Sequence, residues 1–140
     1  MSVLYHNESI ELPAIDPAQT TAWIKATAAQ YGYQVGDINY IFCSDEVILR
    51  VNREFLQHDY YTDIITFDYS TSKSIAADIY ISLETVATNA QQFNTPYLQE
   101  LHRVIIHGIL HLCGLDDATP EEESNMRAAE ERALAQLENN

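Results

Sequence analysis

The stretch His107-Gly108-Ile109-Leu110-His111-Leu112-Cys113-Gly114-Leu115-Asp116-Asp117 sets two histidines four residues apart in an apolar run, ends the run at a glycine and follows it with carboxylates. In a helix over residues 98–113, His107 and His111 lie one turn apart on one face, with Cβ atoms about 6 Å apart. Two imidazoles at that spacing reach one small cation. A straight helix offers no third ligand there, but a glycine turn that folds the chain back brings Asp117 toward the same point. Two imidazoles, a carboxylate and a position open to water are the parts of a catalytic metal site. His107, His111 and Asp117 are therefore the candidate metal ligands. Zinc is the natural ion for that set, which nickel, cobalt or iron also tolerates. Cys113, two residues from His111, points about 160° away around the helix and makes a poor fourth ligand.

Working outward, Pro96 opens the histidine helix, and Leu83 to Phe93 reads as a shorter helix before it. Ile64–Tyr69 and Ala76–Ser82 are β-rich runs separated by the polar loop Ser70–Ser74. Ser44 or Asp45 caps a helix in which Val47, Ile48, Val51 and Phe55 follow helical spacing. Asp37–Ser44 is a strand, and Val3–His6 a short edge strand. Asp16 and Pro17 start a helix through about Tyr31, with an apolar stripe from Trp23, Ile24 and Tyr31, and Gly32 ends it. Downstream, Thr119 caps a last amphipathic helix with acids in its first turn. No repeat, low-complexity segment or linker interrupts the pattern. The expectation is one α+β domain over residues 1–140, a small mixed sheet of about four strands covered by helices.

Composition narrows the function classes. With 140 residues and 46% hydrophobic content, the chain is long enough to bury one core. It has no apolar run near the 18 or so residues a bilayer crossing needs. Its first residues lack the basic start and apolar segment of a signal peptide, so a soluble cytoplasmic protein with no membrane association is expected. Cys43 and Cys113 read as small buried hydrophobes in a reducing compartment. The formal net charge is −14, from 21 acidic against 7 basic residues. That balance excludes a module that coats nucleic acid by neutralising phosphates, while leaving room for a local basic cleft. Arg50 and Arg53 share a helical face, and Arg103 lies one turn before His107. The acids Glu121, Glu122, Glu123, Glu130, Glu131 and Glu138 read as a solvated helix face.

The histidine spacing is shared with the zinc helix of metalloproteases, His-x-x-x-His-x-x-Gly-x-x-ligand. Those enzymes need a glutamate directly after the first histidine as base, and Gly108 stands there instead. A peptidase is thereby reduced to a distant third reading. With glycine in that place, His107, Gly108, Leu110, His111, Leu112, Gly114 and Asp116 resemble the signature His-Gly-x-Leu-His-Leu-x-Gly-Tyr-Asp-His of the YbeY family. Val51-Asn52-Arg53-Glu54-Phe55, the segment Asp59 to Phe67 with Thr62-Asp63, and Ala77-Asp78-Ile79-Tyr80-Ile81-Ser82 are similar to further segments of the same family. The similarity covers roughly residues 40–132 and extends to the helix around Met126.

The resemblance implies a zincin-like metal-binding helix and a single-strand-specific, metal-dependent endoribonuclease. It further implies a role in 16S ribosomal RNA maturation and ribosome quality control, with ribosomal RNA and ribosomal proteins as partners. A non-catalytic ribosome-assembly factor with a structural metal is the alternative. Two departures bear on the chemistry. The family's third histidine is Asp117 here, a harder and negatively charged ligand; Asp116, which matches the family aspartate, competes for that place, and register with the family's third ligand favours Asp117. The arginine credited with holding the RNA phosphate is Leu56, which binds no phosphate. His58 is the candidate substitute donor, with an ordinary loop residue as the equal alternative. Asp59, Asp63 and Asp78 sit in matching segments, and Asp63 equally caps a strand or orients a histidine. The general base stays unassigned.

Overall fold

Runs of β-branched and aromatic residues become four strands among the described residues, and the segments between and after them become five helices. The computed structural model describes residues 2–57 and 62–138. In chain order these are β1 (Val3–Glu8), α1 (Pro17–Gln30), β2 (Gln34–Cys43), α2 (Asp45–Leu56), β3 (Ile64–Asp68), β4 (Ser74–Ser82), α3 (Leu83–Gln92), α4 (Tyr97–Leu112) and α5 (Pro120–Glu138). The sheet order is β1-β2-β4-β3. β1, β2 and β4 run parallel, and β3 is antiparallel at the edge. The α+β reading with a four-stranded mixed sheet is borne out.

Alternation along the strands splits the interior in two. Ile38, Tyr40 and Phe42 of β2 and Ile75, Ile79 and Ile81 of β4 point to one face, where they are fully buried under α1, α4 and α5. Tyr5, Tyr40 and Phe42 stack in near-parallel planes, and the Tyr40 hydroxyl donates to the Ile105 carbonyl of α4 at 2.9 Å. On the opposite face α2 lays Val47, Ile48 and Val51 against Cys43 and Ile65, with Phe67 and Tyr80 at the margin. Phe55, expected on that same apolar stripe, meets Phe67 of β3 edge-on at 5.9 Å but is 64% exposed, because that contact covers only one side of its ring.

Caps agree with the local chemistry. Asp16, Ser44 and Ser82 each accept a hydrogen bond from a first-turn amide of the helix that follows. Thr119 and Glu122 form a reciprocal capping box at α5: the Glu122 amide donates to Thr119 Oγ1 at 3.1 Å, and the Thr119 amide to Glu122 Oε1 at 3.0 Å. Strands run longer than expected. β2 starts at Gln34 rather than Asp37, β4 at Ser74 rather than Ala76, and β1 reaches Glu8, because parallel pairing extends order into polar residues. Among the described residues, no helix is long and apolar enough to cross a membrane.

Candidate active site

The middle of α4 is buried nearly all round, from Leu101 to Leu112; His102 packs edge-on against Trp23, and Arg103, His107 and His111 are its other polar members. Gly108 explains how closely this helix lies on the sheet. A Cβ at that position would stand 3.2 Å from Ile64 Cδ1 and 3.4 Å from Ile79 Cδ1. The glycine that removes the peptidase base is therefore also the point where helix and sheet touch. That contact sets His107 beside β3, next to the half-buried Asp63.

His107 has a carboxylate beside each ring nitrogen. Nδ1 is 2.8 Å from Glu130 Oε2 on α5, and Nε2 is 3.5 Å from Asp117 Oδ2. Burial lowers the imidazole's pKa, but the Glu130 hydrogen bond and the charges of Glu130, Asp117 and Asp63 outweigh it and raise the value above that of free histidine. Burial likewise pushes the Asp63 carboxyl up, against the opposing pull of His107. Glu130 is itself gripped by Arg103, whose Nη1 donates to Oε1 at 3.0 Å. Arg103 Nη2 also donates to Glu131 Oε1 at 2.6 Å, and Nε lies 3.8 Å from Glu100.

The expected turn at Gly114 is present. Gly114 has φ +99°, and its amide donates to the His111 carbonyl while the Leu115 amide donates to that of Leu110. That pair of bonds is a Schellman motif, which closes α4 and reverses the chain. The reversal brings Asp117 to His107 and turns the Leu115 carbonyl onto His111 Nδ1 at 3.2 Å.

Both imidazoles thus have Nδ1 against an acceptor, which leaves Nε2 as the outward electron pair. Two ligands about 2.1 Å from a tetrahedral ion stand about 3.4 Å apart, close to the His107–Asp117 separation. The donor chemistry and that one pair fit a metal. His111 is exposed and does not line the cavity beside His107. Among the described residues, no three His, Cys, Asp or Glu side chains converge as a complete ligand set. Asp116 forms no ion pair with either histidine among the described residues, and His58 and Asp59 lie outside them.

The cavity beside His107 holds about 220 Å³, walled by Asp63, Ile64, Glu100, Arg103, Val104, Asp117 and Glu130. It opens into an outer cleft of about 540 Å³ that adds Ser124 and Arg127 from α5. Arg103 is an ion-pair partner in the wall, not a free surface cation. Arg50 pairs with Glu8 at 3.4 Å on the far end of the sheet. Glu130 is the residue missed by treating the acids of α5 as a solvated face. Met126, Ala129, Glu130, Ala133 and Leu134 form its buried stripe, and an acid within an apolar stripe signals a buried partner.

A mixed α+β sheet whose buried helix presents His107 and a returning carboxylate, Asp117, at a charged cleft, with His111 one turn further on, has the parts of a hydrolase-type site. Comparison with known proteins makes the assignment specific. The family model described as Endoribonuclease YbeY matches residues 5–138, and the chain belongs to that family of RNA-cleaving enzymes. A relative from Bacteroides fragilis named Endoribonuclease YbeY is 61% identical over 96% of this chain and 97% of its own length. One of the same name from Parabacteroides distasonis is 59% identical, covering 98% of this chain and 96% of its own. The solution structure of TM1509 from Thermotoga maritima shares the fold. Its TM-score is 0.69 at 24% identity, over 95% of this chain and 88% of that one.

Proposed function

We propose that this chain is a metal-dependent endoribonuclease that cleaves single-stranded segments of ribosomal RNA during ribosome maturation in the cytoplasm. His107, His111 and Asp117 would hold one zinc ion. The observation that carries the reading is the approach of His107 Nε2 to Asp117 Oδ2, 3.5 Å apart at the mouth of a charged cleft.

Electrostatics supports a cation there. The inner cavity sets Asp63, Glu100, Asp117 and Glu130 against only Arg103 and His107. Such a surface repels a phosphodiester until positive charge is added. A divalent ion held by these residues would supply that charge, and with it the means to polarise a phosphate oxygen or activate water. The chain's own residues do the rest. Ile64 and Val104 wall the inner cavity with apolar surface. Arg127 lines the outer cleft, where a guanidinium can meet a phosphate in the role that Leu56 cannot fill. An overall charge of −14 suits contact with basic ribosomal proteins outside the cleft.

The test uses protein stripped of metal and reloaded with zinc or cobalt, given a ribosomal RNA fragment beside a His111→Ala variant. We expect cleavage by the reloaded protein and a loss of about 100-fold or more in the variant. Equal cleavage by both would overturn the reading. The product ends, cyclic phosphate or free 3′-hydroxyl, identify whether the 2′-hydroxyl or water attacks.

A further inference from the structure

We propose that Arg103 and Glu130 are positioning residues for His107: Arg103 clamps one oxygen of the Glu130 carboxylate so that the other holds the His107 Nδ1 proton. This fixes Nε2 as the electron pair directed at Asp117. The inference rests on the reading of His107 as a metal ligand and assigns work to two residues outside the ligand set.

The geometry divides one carboxylate between two partners. Oε1 takes Arg103 Nη1 at 3.0 Å and Oε2 faces His107 Nδ1 at 2.8 Å. Arg103 and Glu130 are only 9% and 6% exposed, so the interactions are made where water competes little. A pin between α4 and α5 needs one ion pair. Here one guanidinium is ringed by Glu100, Glu130 and Glu131, and an imidazole is added at the far oxygen. A stabilising contact in a buried helix interface is served as well by apolar residues. The surplus of negative charge serves His107 instead, because an imidazole that donates to a carboxylate is a more basic ligand at its other nitrogen. The clamp has a second effect. With Oε1 tied to Arg103, Glu130 stays in the wall and does not turn into the cavity to compete with Asp117 for a cation.

Two measurements on the full chain test this. Long-range proton–nitrogen NMR of the metal-free protein, taken at rising pH until the His107 signals stop shifting, reports which nitrogen of His107 carries the proton in the neutral ring. Competition against a chromophoric chelator reports zinc affinity. We expect the proton on Nδ1 in the parent protein and its transfer to Nε2 in Glu130→Ala, with zinc affinity falling about 10- to 100-fold. Glu130→Gln has one oxygen where two are needed, so it also weakens zinc. This isosteric variant carries the test if Glu130→Ala fails to fold. Arg103→Lys keeps the charge without the fork, and its zinc affinity should fall between parent and Glu130→Gln. An unchanged tautomer in a folded Glu130→Ala protein, or parent-like zinc affinity in Glu130→Gln, would overturn the positioning role. A parent protein that takes up no metal would overturn the proposed metal site instead, while the tautomer still judges the relay.

Discussion

Gly114 is the residue on which the site depends through the backbone alone, and it has an internal control. Gly32 ends α1 with the same Schellman motif, its amide donating to the Ala29 carbonyl and the Tyr33 amide to that of Ala28. Both glycines sit at positive φ, +83° for Gly32 and +99° for Gly114. A Cβ at Gly32 meets nothing within 4 Å, and at Gly114 only the Tyr33 hydroxyl at 3.9 Å. Alanine at either position therefore incurs no clash and only a conformational cost. Left-handed backbone costs an L-residue about 1–2 kcal/mol, and reduced freedom of the unfolded chain returns about 0.4–1 kcal/mol. The net loss is at most about 1.6 kcal/mol, and a domain of this size loses about 2–4 °C per kcal/mol. The left-handed well is centred near φ +57°, so Gly114→Ala should cost more than Gly32→Ala. Urea titration measures both losses. Zinc competition then separates them: Gly114→Ala shifts the turn carrying Asp117 and should weaken zinc about tenfold, while Gly32→Ala leaves it unchanged. Equal zinc affinities in the two variants, or a smaller stability loss at Gly114, would refute the account.

Three further outcomes follow from groups elsewhere. The Cys43 thiol is fully buried and pushed up to about 12 by burial and by the charges of Glu8 and Asp45. Native protein should resist iodoacetamide at that residue at pH 8 and react once unfolded in urea, with intact mass as the readout. The Tyr40 phenol is held well above its usual range, first by burial. The folded state thus keeps a proton that the unfolded chain releases near pH 10, so stability falls as pH rises above that value. Tyr40→Phe should flatten this alkaline loss while costing about 1 kcal/mol at pH 7 from the missing bond to Ile105; urea midpoints from pH 7 to 11 check both. Arg127 lines the outer cleft and forms no ion pair with a described residue. Arg127→Ala should raise KM for RNA several-fold and lower the salt slope of RNA binding by about 1, with kcat largely kept.

How much of this was legible in the sequence differs by kind of interaction. Local signals translate directly: Pro96, Gly114 and the caps Asp16 and Thr119 mark the ends of elements because they act on their own backbone. The His107–Asp117 approach is legible for the same reason, since a single turn of chain separates the partners. Phe55 misleads because periodicity reports which residues share a face of α2, not how much of each side chain its neighbours cover. Glu130 lies 23 residues from His107, and its pairing depends on how α5 crosses α4, which no spacing within either helix records.

That difference bears on how an acidic chain can act on a polyanion. Of the two arginines along the cleft, Arg103 is committed to Glu100, Glu130 and Glu131 and has no charge left for a phosphate. Its position one turn before His107 suggests a substrate contact, but its surroundings make it part of the support beneath the site. On the proposed function, charge for RNA would come from Arg127 and from a cation held at His107 and Asp117. Affinity concentrated at so few points favours a short single-stranded segment that can bend into the cleft over a duplex held along an extended basic face.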